Sequence, residues 1–271
     1  MTSYDPEARR DTPLALKLKQ QIRQRGPIRV NDYVHQCLFD AKHGYYRQRS
    51  AIGRDGDFIT APEISQVFGE LIGLWAATVW QQMGSPGAFH LIEYGAGRGT
   101  LMRDALRAAR VLPEFLEAAK ISLCDINPTL RGIQRKTLAQ LELQEGKVRF
   151  AEGLDDDAMF AANQAGEPAI IIANEFLDVW PPNQFVRVED GWQSRWIGLD
   201  SDERLQFVGP RTFEGLGQPQ PITDAAHDQR FPAARAGDVV TATHYGFADE
   251  VIGPWSRAAA IFIDYGHIEP E

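Results

Sequence analysis

The 271-residue chain carries 28 Lys and Arg against 37 Asp and Glu, a formal charge of −9, with 44% hydrophobic and 24% charged residues. That composition supplies ample apolar material for a core and excludes intrinsic disorder and fibrous architectures. The acidic balance argues against nucleic acid as a partner, because affinity for phosphate backbones comes from clustered Lys and Arg. The longest apolar stretches, such as Ile170 to Ala173 and Ala258 to Ile263, fall far short of the roughly 20 residues that span a bilayer. Residues 1–11 hold Asp5, Glu7 and Asp11 and no apolar run, which fits neither a secretory signal nor a transit peptide. Cys37 and Cys124 form no disulfide or metal pattern, so the expected compartment is the cytoplasm.

Leu14, Leu18 and Ile22 fall four apart among Lys17, Lys19, Arg23 and Arg25, which predicts a basic amphipathic helix ending at Gly26-Pro27. A second short helix is expected over Asn31 to Asp40. Thr60-Ala61-Pro62-Glu63 has the form of a capping box, with Glu63 reaching back to the cap amide. Beyond it Ile64, Val67, Phe68, Leu71, Trp75, Thr78, Val79 and Met83 mark one face of a helix stopping at Gly84, and that face is expected in the core. Residues 1–85 thus read as an N-terminal helical subdomain.

From residue 88 short apolar runs alternate with helical stretches: Phe89 to Glu93, Ile121 to Asp125, Val148 to Phe150, Ala169 to Ala173 and Ala259 to Asp264. Strands spaced by helices imply right-handed crossovers, a mainly parallel sheet and the α/β class. Gln184 to Val188, Trp192 to Leu199 and Leu205 to Val208, with turn signals between them, predict a β-meander inserted into this sheet domain. Gly209 to Gly237 is rich in Pro, Gly and Asp and reads as loop. The expected domain spans 86–271 with an insertion over 184–237.

Glu93-Tyr94-Gly95-Ala96-Gly97-Arg98-Gly99 follows the first strand and opens a helix, a place where glycines permit close backbone approach and helix amides meet an anionic group. A dinucleotide fingerprint wants its third glycine where Thr100 stands, so the spacing of 95, 97 and 99 fits S-adenosylmethionine better than NAD. That cofactor carries a cationic sulfonium and ammonium, which Glu93 suits. Asp125, at the end of the second strand, is a candidate acceptor for both ribose hydroxyls, followed by Asn127-Pro128 as helix cap and first turn. Leu154 and Asp155 are candidates to flank an adenine, although Asp155, Asp156 and Asp157 equally suit the start of a helix. At the end of the fourth strand Asn174, Glu175 and Asp178 are the candidate catalytic residues, two carboxylates three apart being able to grip a cationic group. Asp264-Tyr265-Gly266-His267 ends the fifth strand at the same edge. The six histidines show no metal-ligand spacing, so no metal is expected.

The chain resembles the MidA-like family of S-adenosylmethionine-dependent methyltransferases, a family that includes the mitochondrial complex I assembly factor. The resemblance rests on His43-Gly44-Tyr45-Tyr46, on Gly56-Asp57-Phe58-Ile59-Thr60-Ala61-Pro62-Glu63-Ile64, on the glycine loop through Met102, on Asn174-Glu175-Phe176-Leu177-Asp178 and on Asp264-Tyr265-Gly266. It implies a Rossmann-like class I methyltransferase sheet of seven strands, of which five are countable here. The last two are then expected beyond Glu271. It also implies methyl transfer to an arginine of a protein, with a complex I subunit as the kind of target. Ala96 stands where the family usually has proline. Glu175 and Asp178 would then hold a guanidinium, with Glu63 or Glu70 as outside candidates, since nearby negative charge suits arginine and hides the lone pair that a lysine must use. Two other classes compete: a non-catalytic assembly factor that binds the cofactor for stability, and an NAD-dependent oxidoreductase, which Thr100 disfavours.

Overall fold

The computed structural model describes residues 11–48, 60–153, 156–177, 179–189, 191–209, 231–242 and 247–265. Two compact units share the chain, one of residues 46–179 with 246–271 and one of residues 1–45 with 180–245.

The first unit is built on five strands: β1 (Phe89–Tyr94), β2 (Ala119–Cys124), β3 (Val148–Ala151), β4 (Ala169–Asn174) and β5 (Ala258–Ile263). All are parallel, in the order β5-β4-β1-β2-β3. They are the five apolar runs expected, and the α/β class follows. β4 is buried over Ala169 to Ala173 because helices cover both faces of a parallel sheet, so its apolar residues are consecutive rather than alternating. Each fully buried isoleucine there contributes ~1.5–3 kcal/mol. From β1 the chain steps outward through β2 and β3, then returns to the other side of β1 with β4. The reversal between β1 and β4 is where an open parallel sheet parts its loops and admits a ligand at the carboxyl ends of its strands.

Helix Thr100–Ala108 buries Leu101, Met102, Ala105 and Leu106 and packs along helix Gln66–Gln82. The latter differs from the expected helix in two ways. Ser65 is extended, at φ −142° and ψ 121°, and separates a short helix Ala61–Ile64 from it. Its buried face is Gly69, Ile72, Gly73, Ala76, Ala77 and Trp80, while Ile64, Val67 and Leu71 of the expected core stripe are exposed. Phe68, Trp75, Val79 and Met83 are partly buried against the core. The reason is proximity: a Cβ at Gly73 would stand 2.2 Å from the Ala105 carbonyl oxygen, and one at Gly69 2.7 Å from Asp104 Cβ. Two helices this close need their small residues at the contact, so the bulky stripe rotates away. Gly73→Ala is therefore expected to lower stability by ~1–3 kcal/mol through overpacking. Gly132→Ala, inside helix Pro128–Ala139 where an added Cβ meets nothing within 4 Å, is expected to raise it by ~0.5–1 kcal/mol. Thermal melting of the two variants checks both signs.

The second unit opens with helix Pro13–Arg25, capped by Thr12, whose hydroxyl accepts from the Ala15 amide at 3.1 Å, and stopped at Gly26 with φ 84°. Helix Val30–Phe39 follows. Trp192 to Leu199, expected as one strand, is two, Gly191–Ser194 and Trp196–Leu199, and they join different antiparallel sheets. The first pairs with Asn183–Val188, which also pairs with Val239–Ala242; the second pairs with both Leu205–Val208 and Ile28–Arg29. The expected meander is thus two sheets, one completed by an N-terminal strand. Leu18, Ile22, Ile28, Val30 and Ile197 make a core between the two N-terminal helices and the second of these sheets. Helix Gln66–Gln82, expected with the N-terminal helices, falls in the sheet unit instead, because its packing partner is Thr100–Ala108. Among the described residues no helix is long and apolar enough to cross a membrane.

Candidate functional site

The glycine loop leaves β1 through three left-handed residues, Gly95 at φ 66°, Gly97 at 52° and Gly99 at 78°. Only glycine takes such angles without a steric cost. At Gly95 a side chain would also collide with the Phe176 ring, 2.6 Å from its Cβ position. Gly99 is the N-cap of helix Thr100–Ala108, so the first amides of that helix face the loop.

Asp125 organises this loop before it meets any ligand. Its Oδ2 accepts from the Gly97 amide at 3.1 Å and its Oδ1 from the Asn127 amide at 2.8 Å, which ties the end of β2 to the loop after β1. Burial raises its carboxyl to about 6, against the opposing pull of those two amides. Each carboxylate oxygen keeps a further lone pair, so the ribose role expected from sequence is compatible with these bonds. Asn127 caps helix Pro128–Ala139 as expected, accepting from Thr129 and Leu130 amides. From that helix the wholly buried Gln134 donates to the Gly97 carbonyl at 2.9 Å, a support that sequence reasoning missed because it comes from 37 residues away.

Glu93 is almost fully buried at the end of β1. Burial, and then the neighbouring Asp125 charge, raises its carboxyl to about 8. Its Oε2 is buried and has no hydrogen-bond partner, as is the Oδ1 of Asn174 at the end of β4. Two unsatisfied acceptors beside a raised carboxyl are unfavourable in the free protein and favourable beside a cation or a donor.

Glu175 sits just after β4 at φ +49°, a left-handed backbone that a residue with a Cβ rarely takes. It is held there by its amide, which donates to the Ile263 carbonyl of β5 at 2.7 Å, and by Asp264, whose Oδ2 accepts from the Leu177 amide at 2.8 Å. Asp264 therefore fixes the loop of the catalytic candidates. Tyr94 at the end of β1 and Phe176 after β4 stack with centroids 5.9 Å apart.

Glu63 is not the capping-box residue expected, since no side-chain bond caps that short helix. Its Oε1 instead accepts from the Thr100 hydroxyl at 2.5 Å, so the residue that breaks the dinucleotide fingerprint anchors a carboxylate in the cleft. Glu63, Glu93, Asn174 and Glu175 line one cleft with the glycine loop. Glu70 is not part of it and pairs with Arg107 at 3.0 Å. Leu154, Asp155, Asp178 and His267, with the Gly56 to Ile59 part of the resemblance, lie outside the described residues.

Residues 71–271 match the family described as S-adenosyl-L-methionine-dependent methyltransferase. The chain belongs to that family. S-adenosylmethionine is the family's cofactor, and the unsatisfied acceptors at Glu93 and Asn174 suit its cationic groups. The relatives include the protein arginine methyltransferase NDUFAF7, mitochondrial, of Homo sapiens, 35% identical over 211 residues that make up 73% of this chain and 48% of the relative. The Drosophila melanogaster homolog is 35% identical over 71% of this chain and 46% of its own length. The chain thus spans about half the length of the curated relatives it matches. A crystal structure of a Burkholderia thailandensis superfamily member bound to S-adenosyl-homocysteine superimposes with a TM-score of 0.75 at 26% identity, covering 98% of this chain and 66% of that one. The methyltransferase fold expected from sequence holds. The cytoplasmic expectation does not: these curated relatives are named mitochondrial, and acidity at residues 1–11 with unpaired cysteines carried no information about compartment.

Proposed function

We propose that this chain provides the cofactor-binding and acceptor-binding cleft of a protein arginine methyltransferase. The observation that carries the reading is the pair of unpartnered buried acceptors, Glu93 Oε2 and Asn174 Oδ1, lining a cleft with a glycine loop at the sheet's reversal point. The relatives' names support arginine as acceptor, and the MidA-like resemblance supports a respiratory complex I subunit as the target.

When bound, S-adenosylmethionine supplies an electrophilic methyl group on a sulfonium. The chain's own work is positioning: aligning two reactants can lower a barrier by ~7–11 kcal/mol, more than acid or base strength need add. Glu93 and Asn174 receive the cofactor's cationic and donor groups, Asp125 its ribose, and Leu154 and Asp155 its adenine. Glu175 and Asp178 hold the guanidinium and draw its charge toward one nitrogen. Glu63, braced by Thr100, is a third carboxylate on the same cleft and joins them in this reading.

Calorimetric titration with S-adenosylmethionine tests the cofactor half. Asp125→Ala is expected to weaken binding at least tenfold, by loss of ribose contacts and by release of the Gly97 amide. Unchanged affinity in that variant would sink the assignment. Incubation with a peptide carrying arginine and, in parallel, lysine tests the acceptor half, with methylation of arginine alone expected.

A further inference from the structure

Helix Gln66–Gln82 turns its small residues inward and leaves bulky apolar ones outside. Val67, Leu71, Leu74 and Thr78 recur at steps of four and three, so they share one side of the helix. Val67, Leu71 and Leu74 are 55%, 61% and 42% exposed, and Ile64, on the short helix just before, is 73% exposed. Thr78 adds no polar demand, since its hydroxyl donates to the Leu74 carbonyl at 2.8 Å. From Val67 to Thr78 the stripe runs ~16 Å along the helix. Glu70 is the single charged residue among the 17 of this helix, in a chain of which 24% is charged, and it is held by Arg107. An ordinary solvated face carries charge, whereas a contiguous apolar stripe marks a surface that a partner covers.

Where the stripe begins decides which partner. Thr60, Pro62 and Glu63 line the cleft that holds the glycine loop, and Ile64 follows Glu63 directly, so the stripe starts at the rim of the cleft. Charge selects in the same direction. A second copy would bring another −9, whereas a segment bearing an arginine is drawn to a cleft lined by Glu63, Glu93 and Glu175. We propose that Ile64, Val67, Leu71 and Leu74 form the docking surface for the acceptor protein, which lays an apolar segment along them and so presents its arginine to the cleft. The proposal rests on the arginine-acceptor reading of that cleft. A helix with leucines at three- and four-residue spacing fits such a stripe, as in helix-on-helix packing. Contact away from the reacting nitrogen is made alike in the ground and transition states, so it lowers KM and leaves kcat unchanged.

The test uses two labelled peptides of the stripe's length, each with one arginine at an end. One continues as a helix with leucines at every third and fourth position; the other has serine for each leucine. Both are made with the arginine at either end, and the better-bound orientation is carried forward. Fluorescence polarisation gives Kd, and a methylation assay gives KM and kcat. The leucine peptide is expected to show Kd and KM at least tenfold below those of the serine peptide, at equal kcat. Val67→Gln with Leu71→Gln, at exposed positions where glutamine keeps the helix, is expected to erase that advantage. The serine peptide, the affinity for S-adenosyl-homocysteine and the melting temperature should be unchanged in this variant. Phe160→Gln, at a residue 66% exposed on helix Asp156–Gln164, should alter none of these, which separates the stripe from general stickiness. If neither peptide is methylated but the leucine peptide binds and the double variant loses it, the docking surface stands and the arginine reading falls. No advantage for the leucine peptide, or one that survives the double variant, overturns the proposal. Sedimentation of the parent chain as a dimer that the double variant dissociates also overturns it, in favour of a second copy on the stripe.

Discussion

Glu93→Gln is expected to weaken S-adenosylmethionine binding by roughly 30- to 100-fold. The substitution keeps the volume of the side chain and removes its ability to become negative. A hydrogen bond to a charged group is worth about 1.5–3 kcal/mol, and each 1.4 kcal/mol is a factor of ten in affinity. The distinguishing result is the pH profile. With its pKa near 8, Glu93 is mostly protonated in the free protein at pH 7, whereas a cationic cofactor favours the carboxylate. Binding must therefore release a proton, and affinity should tighten as pH rises toward about 8 and level off above it. Asp125, near 6, adds a shallower slope at lower pH. The Gln variant should lose the upper slope and keep the lower one. Titrations in buffers of different ionisation enthalpy measure the released proton directly. A wild-type affinity that is flat between pH 6 and 9 would refute the role of Glu93. The same burial has a consequence for stability: the folded state holds its proton where the unfolded state has lost it, so this residue makes the free fold less stable as pH rises from about 4.5 to about 8.

Glu175 offers a separation of activity from stability. Its left-handed backbone costs of order 1 kcal/mol in a residue with a Cβ, a steric cost that glycine lacks and that offsets the extra chain entropy glycine loses on folding. Glu175→Gly is therefore expected to melt no lower than the parent, yet to lose arginine methylation by at least 100-fold, because in the proposed function the guanidinium loses its carboxylate. Glu175→Gln should retain the strain and lose activity too. If the glycine variant keeps its activity, the residue serves only to turn the chain; if it melts well below the parent, the strain argument fails. Cofactor affinity, read in parallel, should change little in either variant, because the proposed contact is with the acceptor.

The strands and the glycine loop were legible because their signals are local. A consecutive apolar run such as Ile170-Ile171-Ile172 has one economical fate in an α/β chain, and three glycines between a strand and a helix have few reasons to exist besides close approach to a ligand. Asn127 as cap and Gly26 as stop belong to the same class, decided within a turn of the residue itself. The face of helix Gln66–Gln82 was not legible. Period alone favoured the stripe with the largest side chains, whereas the actual contact follows Gly69 and Gly73 because Leu101 and Asp104 lie against the first and the backbone of Ala105 against the second. Nor could spacing show that Ile28 pairs with Ile197, or that Glu63 serves Thr100 rather than its own helix cap.

The sequence by itself determined the class of the fold, the order of its five parallel strands along the chain, the glycine loop and the acidic character of the strand ends, and through its motifs the methyltransferase family. Tertiary structure alone decided which of those acids lack partners, how Gln134 and Asp264 brace the loops, and which helix stripe faces inward. The physical reason is range. Propensities and turn geometry act over a few residues, but burial, hydrogen-bond satisfaction and the shift of a carboxyl toward pH 8 depend on groups that only folding brings together.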